Sequence, residues 1–339
     1  MSTNICFTLQ DLIFFSANHL IRQLHPFSPR GKLVHLRKEG LSSTNRLLHA
    51  AKNNMPDCVL RDQLYRIAMT EKNAEQLKLT AELHPEYATW IDPDPLETQT
   101  GTTSLGGILL SNGCQVINVP SYLKGLWSAC EELYPDNTRW CIDETDSVLD
   151  WEEKLADFDS VVFSAGSGLF HDSILREAPE DFGIELVRGQ SVEMMLNNEN
   201  SADHPNEAIL SGKYFIPLSK PNHILIGATH EHNSEAFDEE QVIEELKSRS
   251  YDVSPFVWDN GTVTKITSGY RANTKRSELG RMPIIGKYCD VHDSAYIFTG
   301  LSARGLIYHG IYGDLLSSMI VAKDENVIKD KYPDIVLWK

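Results

Sequence analysis

The first fifty residues contain no G-x-G-x-x-G, the strand-turn-helix fingerprint with which a dinucleotide-binding fold usually begins. C-x-x-C pairs are also missing. The six cysteines, at positions 6, 58, 114, 130, 141 and 289, follow no metal-site or secreted spacing, which leaves them as reduced, structural thiols. Forty-eight Asp and Glu against 31 Lys and Arg give a formal net charge of -17 with no dense basic patch, so an autonomous nucleic-acid groove is not expected. The opening stretch Asn4 to Leu24 is broken by Asp11, Asn18, His19, Arg22 and Gln23. It has neither the basic start and apolar core of a secretion signal nor the length of a membrane span, and a cytoplasmic, membrane-free protein is the expectation.

At 339 residues the chain has room for two domains, or for one domain with a second lobe inserted. Apolar spacing predicts a helix over Leu12 to Leu24, stopped by His25-Pro26, then a short strand over Lys32 to Leu36 and a turn at Glu39-Gly40. Arg46 to Ala50 opens a helix or lies extended beside a ligand. Arg61 to Met69 resembles a strand and Glu71 to His84 a helix, followed by a bent strand pair around the turn dipeptide Asn112-Gly113. Pro120 suits the first turn of an amphipathic helix running through Tyr122 and Leu133. Val161, Val162 and Phe163 form a continuous β-prone run emptying into Ala165-Gly166-Ser167-Gly168, as at the carboxyl end of a parallel sheet. Short strands recur at Glu185 to Met194, Lys213 to Pro217, His223 to Thr229 and Val263 to Ser268, the pattern of an antiparallel lobe. The acidic stretch Glu231 to Glu245 reads as a solvated or helical surface. A strand at Ala295 to Thr299 and a long helix from Leu306 to Ala322 close the chain, separated by Gly300-Leu301-Ser302-Ala303-Arg304-Gly305. Such a loop presents bare backbone N–H groups at a helix N-terminus.

Several blocks, in this order, are similar to the FAD-dependent oxidoreductases of the D-amino-acid oxidase and glycine oxidase superfamily: Val187-Arg188-Gly189-Gln190, Ile226-Gly227-Ala228-Thr229 with Glu231, Gly269-Tyr270-Arg271, Pro283-Ile284-Ile285-Gly286 and Phe298 to Leu306. Glu39-Gly40-Leu41-Ser42-Ser43 resembles the segment after that family's second strand. The resemblance implies an α/β fold with a discontinuous Rossmann-like FAD-binding domain (1–55, 120–184 and 265–339) and a mixed or antiparallel substrate domain (56–119 and 185–264). It implies FAD as cofactor, a small-molecule amine or amino acid as substrate, and oxidation of its C–N bond.

On that resemblance the cofactor contacts are Gly40, Ser42, Ser43, Ala165, Gly166, Gly300, Leu301, Ser302, Arg304 and Gly305. Arg271 is the substrate carboxylate clamp, because a guanidinium offers a planar, two-pronged donor. Spacing assigns no catalytic residue. Tyr308 and His309 lie on the last helix, and His309 reads as a packed helix residue. His230-Glu231-His232 would point its side chains apart on a strand, so no metal is expected. Two other readings stay open: a noncatalytic, flavin-free relative, suggested by the missing fingerprint, and an amine oxidase acting in tRNA modification, suggested by related folds alone.

Overall fold

The computed structural model describes residues 5–8, 21–140, 158–170, 178–197, 206–232, 236–288 and 294–332. Its architecture is mixed α/β. The run that empties into Ala165 forms the strand Ser160–Phe163, buried along its whole length. Parallel neighbours flank it, Ile5–Thr8 on one side and Ala295–Thr299 on the other, and Ile284–Lys287 adds an antiparallel outer strand. Alternation sends Val162 into a core with Ile285, Tyr296 and the last long helix. Val161 and Phe163 point the other way, into a core with Ile184, Tyr288 and Ile297. A strand buried on both faces has no use for polar residues, which is why its sequence reads as one apolar run.

Three helices pack beside this sheet. Gly305–Ala322 carries buried residues around its circumference and crosses Arg37–Asn54, which in turn crosses Val119–Leu133. A Cβ added to Gly40 would stand 2.5 Å from the Ile307 carbonyl oxygen, so the helices meet backbone to backbone there. The Thr44 hydroxyl donates to the Leu306 carbonyl at 2.5 Å.

A nine-stranded sheet occupies the other half, with most pairs antiparallel and Ile209–Ser211 parallel to Leu64–Ile67. Its longest members, Ile184–Leu196 and Gly261–Thr274, pair over nearly their whole length. Ile21–Leu24, Gln115–Asn118 and Val59–Arg61 form a three-stranded sheet hydrogen-bonded to neither, packed through Leu24 and Ile117 on one core and Val116 on another. Among the described residues no helix is long and apolar enough to cross a membrane.

Several expectations need correction. Ile21–Leu24 is a strand, held by antiparallel pairing to Gln115–Asn118, while the remainder of the helix expected there, residues 12–20, lies outside the described residues. Lys32 to Leu36 is not a strand; it contributes one bridge, Phe27 to Leu33, and ends in the left-handed conformation at Leu36. No turn breaks the chain at Glu39-Gly40, because both residues belong to the first turn of helix Arg37–Asn54, where tertiary packing outweighs the weak helix propensity of Gly and Ser. Asn112-Gly113 does turn the chain, with φ of 53° and 90°. It does not join a pair, since Gly107–Leu110 and Gln115–Asn118 go to different sheets. Glu231, expected on the surface, is 4% exposed.

Candidate active site

The carboxyl ends of the parallel strands meet the end of the long strand Gly261–Thr274 at the loop after Thr299. Leu301 bridges Asn273, and the Thr274 amide donates to Ser302 Oγ at 3.2 Å. Gly300 takes φ 70°, and a Cβ there would lie 2.5 Å from Thr274 Cγ2. Both its conformation and its neighbours demand glycine. A short turn, Ser302–Arg304, then leads into the helix at Gly305.

Gly305 is a different case. Its φ of -49° is helical, and an added Cβ would touch only Leu301 atoms, at 3.8 and 4.0 Å. No fold requirement keeps a side chain out. The helix begins with no side-chain cap, so its first N–H groups have no protein acceptor from that source, and the Thr299 hydroxyl beside the loop, 1% exposed, has no hydrogen-bond partner. Donors, an orphaned hydroxyl and bare backbone therefore gather where negative charge is favoured.

Two guanidinium groups lie on the elements that meet at this turn. Arg271 lies two residues before Asn273 on the strand whose end reaches the loop, and its guanidinium lies over Gly189, on the side away from Asn273. Burial, and then the neighbouring Arg22, push its pKa below the ordinary arginine range. Arg304, also pushed down by burial, shares its surroundings with His25 and Arg66. Arg66 donates to the Ser28 carbonyl at 3.1 Å and to that of Pro29. His25 is driven down to about 3 by burial first, then by Arg304 and Arg66. Among the described residues no carboxylate forms an ion pair with Arg271 or Arg304. Arginine does not shed its proton near neutrality, so two desolvated cations without counter-ions define a place for an anionic ligand.

Arg271 is hydrogen-bonded on one side and given room by a glycine on the other. Its Nη1 donates to His230 Nε2 at 3.3 Å, and a Cβ on Gly189 would stand 3.1 Å from Nη2. His230 is pushed down to about 4 by burial of its inner edge, then by Arg271 and Lys213, although its outer edge meets solvent. The neutral ring accepts from the guanidinium; a protonated one would repel it. Close by, Tyr214 and Ser191 share a hydrogen bond of 2.7 Å between their hydroxyls. Glu231 sits below this layer as an acceptor for Thr229 Oγ1 at 2.5 Å, Gln190 Nε2 at 3.2 Å and the Phe237 amide at 3.3 Å. These bonds fix the end of one strand against its neighbour and place no carboxylate on Arg271.

Gly300, Leu301, Ser302, Arg304 and Gly305 share the loop, and Arg271 lies on the strand whose end bridges to it. Ala165 and Gly166 lie at the carboxyl end of Ser160–Phe163, where Gly166 has φ 63° and no atom within 4 Å of an added Cβ. Gly40, Ser42 and Ser43 are on a helix instead of an open loop. Gly40 faces Ile307, and Ser43 Oγ would lie 2.5 Å from a Cβ on Gly310, so both help seat the last helix. His309 is equally structural: its Nδ1 donates to the Gly305 carbonyl at 2.9 Å, which leaves Nε2 to accept from Tyr122 at 2.7 Å. Burial lowers its pKa and keeps it neutral. Among the described residues no group of His, Cys, Asp and Glu is placed to hold a metal. Sequence reasoning missed His230 as the partner of Arg271 and missed His25 and Arg66 beside Arg304. His25-Pro26 and the strand position of Arg66 carried no local signal of it.

Comparison with known proteins gives a family by one route and a fold by another. Residues 16–319 match a family model described as FAD dependent oxidoreductase, the DAO family. No curated protein sequence matches the chain. Among solved structures, glycine oxidase from Geobacillus kaustophilus is similar with a TM-score of 0.64 and 17% identity, over 95% of this chain and 88% of that one. L-proline dehydrogenase from P. horikoshii gives a TM-score of 0.63 at 11% identity, over 91% and 87% of the two chains. Iminodiacetate oxidase from Chelativorans sp. BNC1 gives 0.59 at 14%, over 85% and 80%. At such identities the likeness is one of fold.

Proposed function

The chain belongs to the DAO family of FAD-dependent oxidoreductases, and from that premise we propose that it oxidises the C–N bond of a small amine bearing a carboxylate. The ring end of the cofactor fits the residues present. Gly305 leaves space without a packing reason, the helix start offers uncapped N–H donors, and the Thr299 hydroxyl lacks a partner. Leu301, Ser302, Arg304 and Gly305 would hold that end, with Ala165 and Gly166 at the neighbouring strand terminus. When bound, the flavin supplies the acceptor for the two electrons leaving the substrate carbon.

The protein's own contribution is positioning and charge. Arg271 holds the carboxylate in a two-pronged grip, with His230 hydrogen-bonded to the guanidinium and Gly189 leaving it room. Arg304 adds positive potential from the loop. Backbone donors at the start of Gly305–Ala322 stabilise negative charge that grows on the acceptor side as the reaction proceeds, and so act in the transition state more than before it. No side-chain base is assigned: a neutral substrate amine does not need one, and His309 is committed to Gly305 and Tyr122. The division into a flavin-facing unit (1–55, 120–184 and 265–339) and a substrate-facing unit (56–119 and 185–264) belongs to this proposal, as does a cytoplasmic location.

What supports the assignment is the pair of guanidinium groups without counter-ions among the described residues, borne on the elements that meet at an open glycine turn. Anaerobic mixing of the flavin-reconstituted protein with a panel of carboxylated and decarboxylated amines tests it. Bleaching of the oxidised flavin band by carboxylated members alone is the expected result. Equal bleaching by amines without a carboxylate removes Arg271 from its role, and no bleaching by any amine defeats the enzymatic reading.

A further inference from the structure

The half of the fold that would receive the cofactor's adenylate departs from what a dinucleotide needs. In a dinucleotide-binding fold the first strand is flanked on both sides by parallel strands, its glycine turn lets backbone approach the pyrophosphate, and an acidic residue about 20 positions on holds the ribose. Here Ile5–Thr8 stands in the position of that first strand, parallel to Ser160–Phe163, but among the described residues it is the outer strand of its sheet. The sequence after it has no glycine before Gly31, so none of the three fingerprint glycines is present. From Ile5 to the end of the next strand at Leu24 the chain has only about 20 residues, against roughly 30 or more for a complete strand-helix-strand unit, and that next strand belongs to a different sheet. Between Asp11 and Glu39 there is no Asp or Glu for a ribose hydroxyl, and the segment instead carries Arg22, Arg30, Lys32, Arg37 and Lys38.

The ring end shows none of these losses. Gly300, the Ser302–Arg304 turn and the open Gly305 are all in place. We propose that this chain recognises its cofactor through the ring and its ribityl chain, and that the adenylate half adds no affinity, so that FMN binds as well as FAD. This rests on the flavin assignment above and narrows it. A pyrophosphate needs close backbone donors, which glycine allows, and the sequence from Leu9 to Arg30 contains no glycine. Affinity lost at one end of a two-ended ligand is not recovered at the other, so the difference between the two flavins shrinks toward none.

Flavin fluorescence titrations of the purified full chain with FAD and with FMN, in the same buffer, test the proposal without any turnover. Dissociation constants within about threefold of each other are expected. Saturating ADP, which would occupy an adenylate site, is expected to leave bound FMN in place. FAD binding about 30-fold or more tighter than FMN, or displacement of flavin by ADP, overturns the proposal and leaves the flavin assignment standing. A folded protein that takes up neither flavin overturns both.

Discussion

Gly305 separates a glycine kept for folding from one kept for a ligand. Its backbone is helical, and an added Cβ meets only Leu301, at ordinary contact distances. Gly305→Ala should therefore leave the fold intact and raise stability by about 0.5 kcal/mol, the usual gain when glycine is replaced at a position its substitute adopts freely. Side chains on a helix lean toward its N-terminus, so a leucine at this position projects over the Gly300 to Arg304 turn, into the space assigned to the flavin ring. Gly305→Leu then excludes the ring by overlap. A rise of about 100-fold in the flavin dissociation constant, or about 2.7 kcal/mol, is expected, with the alanine variant in between. Thermal unfolding of the flavin-free proteins gives the stability arm, and fluorescence titration the binding arm. A leucine variant that is as stable as its parent and binds flavin equally well refutes the assignment of this turn. Gly300 provides the contrast: its φ of 70° and the 2.5 Å approach to Thr274 make Gly300→Ala unfavourable for folding whether or not flavin is present.

Arg271→Ala is expected to raise KM for carboxylated amines by about 100-fold with a smaller change in kcat, and Arg271→Lys is not expected to rescue it, since a lysine cannot reproduce the paired geometry. His230 bears on pH: its folded pKa of about 4 lies below the unfolded 6.5, so its stabilising contribution is present above 6.5 and lost as pH falls toward 4. His25, at about 3, extends the same slope to lower pH. Melting temperature should fall through this window, and should fall less steeply in His25→Gln; an unchanged slope in that variant removes His25 as a source. Glu231→Ala removes the acceptor shared by the Thr229 hydroxyl, Gln190 Nε2 and the Phe237 amide and is expected to cost about 1–3 kcal/mol in denaturant unfolding, with Glu231→Gln milder. Flavin affinity in the folded fraction should not change, because Glu231 serves the strand end.

Segments whose pattern is set by local chemistry were legible in the sequence. Ser160–Phe163 announces itself as a strand buried on both faces, apolar spacing marks the helix Glu71–Leu83, and Pro120 suits the first turn of Val119–Leu133. Gly300 to Gly305 was legible as a turn before a helix, since small residues there have no competing explanation. What escaped was decided by distant partners. Arg37–Asn54 contains Gly and Ser residues that suggest a loop until the last helix is packed against Gly40 and Ser43. The Asn112-Gly113 turn was readable, but the sheets receiving its two arms were not, because no local signal says which edge is vacant. The same holds for the site. Arg271 stood out by its block, whereas His230, more than forty residues earlier, meets it only through the register between two long strands and their neighbour.

A crystal structure of the flavin-loaded protein addresses the central claim most directly. The isoalloxazine is expected against the backbone of Ser302 to Gly305, with Arg271 and Arg304 on its two flanks. Flavin density elsewhere on the molecule, or side chains closing over Gly305 in a protein saturated with flavin, would contradict it.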